Sequence, residues 1–415
     1  MTLSSEKHVP VVCPADQNSF GLGDRLGNAS PAHLKLFKDY NVFPVLAQQS
    51  KRELSLTDRT YKDIVDSAVE ASEAADWQFQ FGADGDHLKT PEDIGIALDA
   101  GCSMITLDCS DEFPEEAPDA NAYWDGLTEE KRALYLGFRE SYRAFIKDAN
   151  EQGMTYAELT EEDFRNTVAF YDKVADYIVD IYANVIKAAD RDIDFEVSID
   201  ETPFETEPFA HWLIGGVLER NGIVAFSMAP RFVGHFEKGI DYRGDLDAFR
   251  ASIAQHEAIA KHYAYRISVH SGSDKYAIFP IVADVIKRPF HIKTAGTHWL
   301  EAVRLVAEKD AELFRQFYKL AKDNFAAAKE LYVIRTGLDD ISDVSEHSED
   351  QYAELLNDDD YRQFFHVNYG AILADKDAKD GLEACMKNEE ERYHELLNIN
   401  MKKHLDGLGI GARKA

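Results

Sequence analysis

Few architectures accommodate the stretch Tyr265–Lys275, which reads Tyr-Arg-Ile-Ser-Val-His-Ser-Gly-Ser-Asp-Lys. Ile267 and Val269 share one parity, and Arg266, Ser268 and His270 share the other. That alternation predicts a strand with one apolar and one polar face. Ser271-Gly272-Ser273 then ends the strand with small residues that let the backbone approach a ligand. Phe195–Glu201 repeats the pattern, with Val197 and Ile199 against Glu196, Ser198 and Asp200. Phe290–Lys293 repeats it again, with Phe290 and Ile292 against His291 and Lys293. A single polar-faced strand is as easily an exposed edge. Three of them, each ending in a charged or imidazole side chain, point to a shared polar interior.

The rest of the chain supplies the rhythm. Val9–Cys13 is a short β-rich run before the glycine loop Phe20–Gly27. Strands are then expected at Val42–Ala47, Trp77–Gly82 and Met104–Asp108, and after a gap at Phe195–Asp200, Ile223–Met228, Tyr265–His270 and Phe290–Lys293. Helices are expected from near Pro31 (capped by Asn28 or Ser30), over Leu56–Ala74, from Pro91, and over Pro208–Arg220, Leu246–His262 and Ala277–Val285. Asp111–Asp190 is helical by periodicity and too long for a strand-to-helix connection. The expected fold is therefore an α/β (β/α)8 TIM-type barrel over residues 1–298, with a helical insertion at about 111–190. Residues 299–415 form a helical C-terminal extension packed on the barrel, placed to cover its mouth or to build a homo-oligomer surface. An open doubly wound sheet would have fewer and more continuously apolar strands.

The formal charge of −31 argues against nucleic acid and anionic membrane as partners. A small anionic substrate needs only a local basic cluster. No apolar run is long enough to span a bilayer, no signal pattern opens the chain, and a cytoplasmic location is expected. The four cysteines form no close CxxC pair and are expected to be buried free thiols.

In such a barrel the active site lies at the C-terminal ends of the strands. Asp24 and Arg25 fall after the first strand, and Gln49 after the second. Asp84, Asp86, His87 and Lys89 follow the third, and Asp108 ends the fourth. Asp200 and Glu201 follow the fifth, and Ser227 and Arg231 the sixth. The seventh contributes His270, Ser271, Ser273, Asp274 and Lys275; the eighth contributes Lys293, Thr294 and His298. Histidines and carboxylates arriving from different strands suit one divalent ion such as Zn, Mn, Fe, Ni or Co. Strand parity selects His270 and favours Asp200 over Glu201. The Gly-x-Gly-x-x-x-Gly loop matches neither the dinucleotide nor the Walker spacing, and its Asp24-Arg25 centre suits hydroxyls or a carboxylate. No nucleophile elbow or HExxH is present.

Six segments in order resemble the tagaturonate epimerase (hexuronate 4-epimerase) family: Phe20–Gly27, Gly82–Thr90, Val197–Thr202, Ala229–Gly234, Val269–Lys275 and His291–Thr297. The resemblance implies a metal-dependent barrel that interconverts D-tagaturonate and D-fructuronate, with His87, Glu201 and His270 as metal ligands. The two ketouronates differ at a hydroxyl-bearing carbon β to the ketone, which simple enolisation cannot invert. Retro-aldol cleavage, rotation of the aldehyde fragment and re-addition can. Asp86, Asp108 and Lys293 are then the acid–base candidates. Arg25, Arg231 and Lys275 suit the substrate carboxylate, and Asp24, Gln49, Ser271, Ser273 and Thr294 the rest of the sugar. A metal-dependent isomerase or aldolase on a related sugar acid is the alternative, as is a barrel that binds sugar acids without turning them over.

Overall fold

A computed structural model describes residues 8–294 and 296–413. Eight parallel strands close into one barrel in sequence order: β1 Ser19–Gly21, β2 Phe43–Ser50, β3 Gly82–Leu88, β4 Met104–Asp108, β5 Asp194–Ile199, β6 Ser227–Pro230, β7 Arg266–Val269 and β8 His291–Lys293. The strand β1 pairs with both β2 and β8, so no sheet edge is left open.

Three strands lie away from their expected places, each for a physical reason. Val9–Cys13 is not the first strand. Val11 N–H donates to the Phe81 carbonyl (2.9 Å), and Cys13 N–H donates to Asp194 (2.7 Å). The Arg266 guanidinium binds the Pro14 and Gln17 carbonyls at 2.7 and 2.8 Å, so this segment seals the N-terminal end of the barrel. The third strand begins at Gly82, where Trp77–Gly82 was expected to end. Its Gly-Ala-Asp-Gly-Asp-His sequence has low β-propensity, and pairing on both sides imposes the strand. Likewise β6 is Ser227–Pro230 and not Ile223–Met228. The expected helix Leu56–Ala74 is two helices, Lys51–Thr57 and Tyr61–Ala74, parted at Asp58 in a left-handed conformation (φ 54°).

The insertion between β4 and β5 holds helices Ala120–Gly126, Glu129–Glu151 and Glu161–Ile181. After β8 the chain builds a second apolar core around Trp299, Phe314, Phe317 and Phe364. The last helix, Glu390–Gly407, returns to the barrel and packs against helices Ser30–Phe37 and Phe279–Val285. Its Met401 and Leu405 join the barrel's own core. The outer ring of helices is thus completed by the far end of the chain, which ties the C-terminal layer down on both sides. All four cysteines are buried and free. Among the described residues no helix is long and apolar enough to cross a membrane.

Candidate active site

The inward faces of the strands meet in a connected polar interior instead of layered aliphatic side chains. Lys293 on β8 lies 2.6 Å from Asp86, 2.7 Å from Thr106 and 2.9 Å from Glu196. Thr106 bridges Asp84 (2.9 Å) and Glu196 (3.1 Å), and Ser227 donates to Glu196 at 2.5 Å. Gln48 and His291 close the ring on the other side, 3.3 Å apart. The buried lysine is what makes three buried carboxylates tolerable. Burial pushes Asp84 up to about 6 against the pull of Lys293. Burial works against Lys293 too, but Asp86, Glu196 and Asp84 together hold its ammonium protonated.

Above this floor lies a cavity of about 540 Å³ at the C-terminal rim. Two neighbouring residues of β3, Asp86 and His87, both line it, although adjacent residues of a regular strand face opposite ways. A bulge removes the conflict: Gly85 and Leu88 pair with Ile105 and Leu107, so three steps along β3 match two along β4. His87 takes the bulge in a left-handed conformation (φ 54°) that non-glycine residues seldom adopt. Ser271 at the end of β7 does the same (φ 51°). Both departures from regular backbone sit at the cavity.

His87, Asp200 and His270 come together here, with one ligand atom of each within 4.8 Å of the others. The His87 Nδ1 lies 2.9 Å from Asp86 and the His270 Nε2 lies 2.8 Å from Glu196. Each ring therefore has one nitrogen occupied by a carboxylate and presents the other to the cavity. The second His270 nitrogen, Nδ1, is hydrogen-bonded to Asp200 at 3.1 Å on the cavity side, and the His87 Nε2 lies 3.7 Å from Glu201. This is the carboxylate–histidine backing that orients imidazoles toward a metal. Charge agrees. Burial alone would lower the His87 pKa, but Asp86 raises it to about 10. His270 is likewise raised, by Asp200 and Glu196 against burial. Two imidazolium charges, with Lys293, thus balance Asp86, Asp200 and Glu196, and a divalent cation would bring the same +2 as the two rings with both rings neutral. The residues fit a metal of that class.

The structure places the other expected site residues unevenly. Asp108, Ser271, Ser273, Lys275 and Arg25 line the cavity, as do Asp86 and Lys293. Lys275, however, spends its ammonium on the carbonyls of Glu237, Ile240 and Ser273 at 3.0, 2.5 and 2.9 Å. Asp24 does not line the cavity. Its carboxylate accepts the N–H groups of Gly27 (2.8 Å) and Ala29 (2.6 Å), capping the helix Ser30–Phe37 in place of Asn28 or Ser30. Thr294 donates to the Gly21 carbonyl (2.8 Å) and stays buried behind the rim. Gln49 is buried outside the cavity, with neither side-chain polar atom partnered among the described residues. Arg231 lines an adjoining cleft. Ala295, within the motif His291–Thr297, lies outside the described residues. Three cavity residues that sequence reasoning missed are Lys238, His366 and Tyr332. Lys238 sits in a loop, and the other two come from the C-terminal layer, where His366 directly precedes the segment Val367–Gly370 that extends the family resemblance.

A closed parallel barrel with a polar cavity at its strand ends, and over an ionic floor a His/carboxylate cluster that could hold a metal ion, has the architecture of a (β/α)8 enzyme. Residues 5–408 match the tagaturonate epimerase (UxaE) family profile, and the chain belongs to that family of carbohydrate epimerases. It is 36% identical over 395 residues to the tagaturonate/fructuronate epimerase of Thermotoga maritima, covering 94% of this chain and 80% of that protein. The native crystal structure of the fructuronate-tagaturonate epimerase from Cohnella laeviribosi is similar with a TM-score of 0.90 and 37% identity, over 97% of this chain and 83% of that one. A glycerol complex of the Cohnella enzyme matches with the same TM-score at 36% identity, over 97% and 83% of the two chains.

Proposed function

We propose that this chain interconverts D-tagaturonate and D-fructuronate in the rim cavity, with one divalent metal held by His87, Asp200 and His270. The carrying observation is that both imidazoles are backed by carboxylates and turn their remaining nitrogens toward the same point beside Asp200. Glu201, the ligand implied by family resemblance, stands 3.7 Å from His87 and supplies a further oxygen on the open side.

Retro-aldol cleavage inverts the carbon β to the ketone by breaking and re-forming the bond between C3 and C4. As it breaks, the proton of the C4 hydroxyl leaves to a base and C4 becomes an aldehyde. The bonding pair passes to C3 and spreads onto the ketone oxygen. Re-addition to the opposite face of the aldehyde reverses both movements, so no oxidant or reductant is consumed. A bound divalent cation supplies Lewis-acid polarisation of the ketone. Asp108 is the residue best suited to hold the travelling proton. It lines the cavity, burial raises its carboxyl above the ordinary range, and it is not tied to Lys293. Asp86 is committed instead. Burial would raise it, but His87 and Lys293 hold it well below the ordinary range. Lys293 and Asp86 thus fix the floor and orient His87.

Metal-replete protein incubated with D-tagaturonate is expected to form D-fructuronate until equilibrium, to stop when a chelator strips the metal, and to resume on its return. A metal-replete protein that leaves both ketouronates unchanged refutes the reading, and release of three-carbon products as the main outcome makes the enzyme an aldolase. Glu196→Gln is expected to weaken metal binding about 10- to 100-fold, because the amide no longer holds His270 as a charged acceptor. Competition against a chelator of known affinity measures this, and unchanged affinity would mean that Glu196 does not orient the ligand.

A further inference from the structure

The cavity wall away from the His87–His270 cluster carries donors that the proton chemistry leaves unused. Arg25, 4% exposed, gives its Nε to Glu53 at 2.8 Å, and its guanidinium lies 4.0 Å from the centre of the Tyr369 ring. Its Nη1 is buried with no partner among the described residues. Lys238, in the loop after β6, donates to the Ser271 hydroxyl at 2.8 Å. Among the described residues no carboxylate lies within the 4.0 Å that defines an ion pair with it. That sets it apart from Lys51, Lys89, Lys293 and Arg25, the cavity cations that do have carboxylate partners. His366, 1% exposed, comes from the helix Asp359–Val367 of the C-terminal layer, and neither ring nitrogen has a partner among the described residues. Two glycines make room for it. A Cβ on Gly296 would fall 2.5 Å from its Cε1, and one on Gly239 3.2 Å from its Cβ.

We infer that Arg25, Lys238 and His366 form the subsite for the substrate carboxylate, which makes the C-terminal helical layer part of the active site. This rests on the ketouronate reading above. Arg25 and Glu53 cancel; of the cavity cations with no carboxylate partner among the described residues, Lys275 spends its ammonium on three carbonyls and Arg52 donates to the Leu331 carbonyl, which leaves the Lys238 ammonium, held by one hydroxyl, to meet a carboxylate. Burial, with Arg25 and Lys238 nearby, keeps the His366 ring neutral, so it offers one N–H donor without repelling the two cations. An unpaired buried donor costs stability unless a ligand satisfies it, and here donors from three chain segments meet. The chemistry gives the anchor a purpose. After the bond between C3 and C4 breaks, the carboxylate belongs to the aldehyde fragment, which must stay while its carbonyl turns over. An anchored carboxylate lets the carbonyl rotate about the adjoining bond without loss of the fragment.

Lys238→Met keeps the aliphatic stem and removes the charge. It is expected to raise KM for D-tagaturonate about 10- to 100-fold and to release a trappable three-carbon aldehyde acid during turnover, with metal content unchanged. Lys238→Arg is expected to restore most of the affinity and suppress the leak. A Lys238→Met enzyme with KM within threefold of the parent and no leaked aldehyde overturns the subsite. Should the parent leave both ketouronates unchanged, the functional reading fails by itself, and ligand-induced thermal stabilisation still decides the subsite. D-galacturonate protecting the parent where D-galactose does not, with that protection lost in Lys238→Met, supports it; equal protection of parent and variant removes it.

Discussion

His270→Ala is expected to purify without its metal and to lose at least about 10³-fold in kcat/KM, since a metal-polarised carbonyl contributes several kcal/mol to the transition state. The variant removes the one ring that touches both Glu196 and Asp200. Elemental analysis beside a ketouronate assay measures both losses, and a variant that keeps one equivalent of metal and full turnover would place the metal elsewhere. Stability carries a second signature, with a sign that can be worked out for the metal-free proteins. In the metal-free parent the His270 pKa is raised, by Asp200 and Glu196 against burial. The stabilisation from its protonation is fully present below the unfolded value, near about 6.5, and is lost as pH rises through the higher folded value. The metal-free variant should therefore melt furthest below the metal-free parent in mild acid, and the gap should narrow toward alkaline pH. A gap that widens with pH would mean that His270 is not the cation balancing those two carboxylates.

The residues of this centre were legible to different degrees, and the limits are physical. The polar face of Arg266–His270 and the matching faces at Glu196–Asp200 and His291–Lys293 did mark the barrel interior, because alternation survives in strands that pair on both sides. Parity also pointed to Asp200, which joins His87 and His270 in the cluster, while Glu201 lies further out with a half-exposed side chain. The third strand was not legible. Its apolar approach, Trp77–Phe81, looks more like a strand than Gly82–Leu88, whose acidic and glycine residues suit a barrel only once Lys293 stands opposite them. No pattern announces the bulge at Asp86–His87 either, since a bulge is a property of two strands in register. Asp24 has the composition of a ligand and the geometry of a cap. Lys238 and His366 lie in a loop and in a distant helix, and only closure of the C-terminal layer brings them beside Arg25. Sequence periodicity registers elements; it does not register which loops meet above them.

Lys293→Met is expected to be the most destabilising change in the centre, by about 3–5 kcal/mol near neutral pH, because it leaves buried carboxylates without their cation. Asp84 and Glu196 are fully buried, and Asp86 nearly so, with the Lys293 ammonium 3.5, 2.9 and 2.6 Å from them. The sign of the pH dependence follows from which groups respond. In the parent, burial pushes Glu196 up, but Lys293 and His270 hold it well below the ordinary range, which stabilises the fold above the unfolded value near about 4.5. Asp84 works the other way. Its folded value of about 6 lies above the unfolded one, so ionising it already costs stability at neutral pH. Without Lys293 both carboxyls move up, the favourable contribution of Glu196 shrinks or reverses, and the cost of Asp84 grows. Protonation relieves both, so the difference in melting temperature between parent and variant should be largest at pH 7–8 and shrink as pH falls toward 5. Adding Asp84→Asn to Lys293→Met should recover part of the loss at neutral pH, since it removes one uncompensated charge and leaves the shape unchanged. A constant difference across that range, or no recovery in the double variant, would mean that Lys293 acts through packing and not as the counter-ion of the barrel floor.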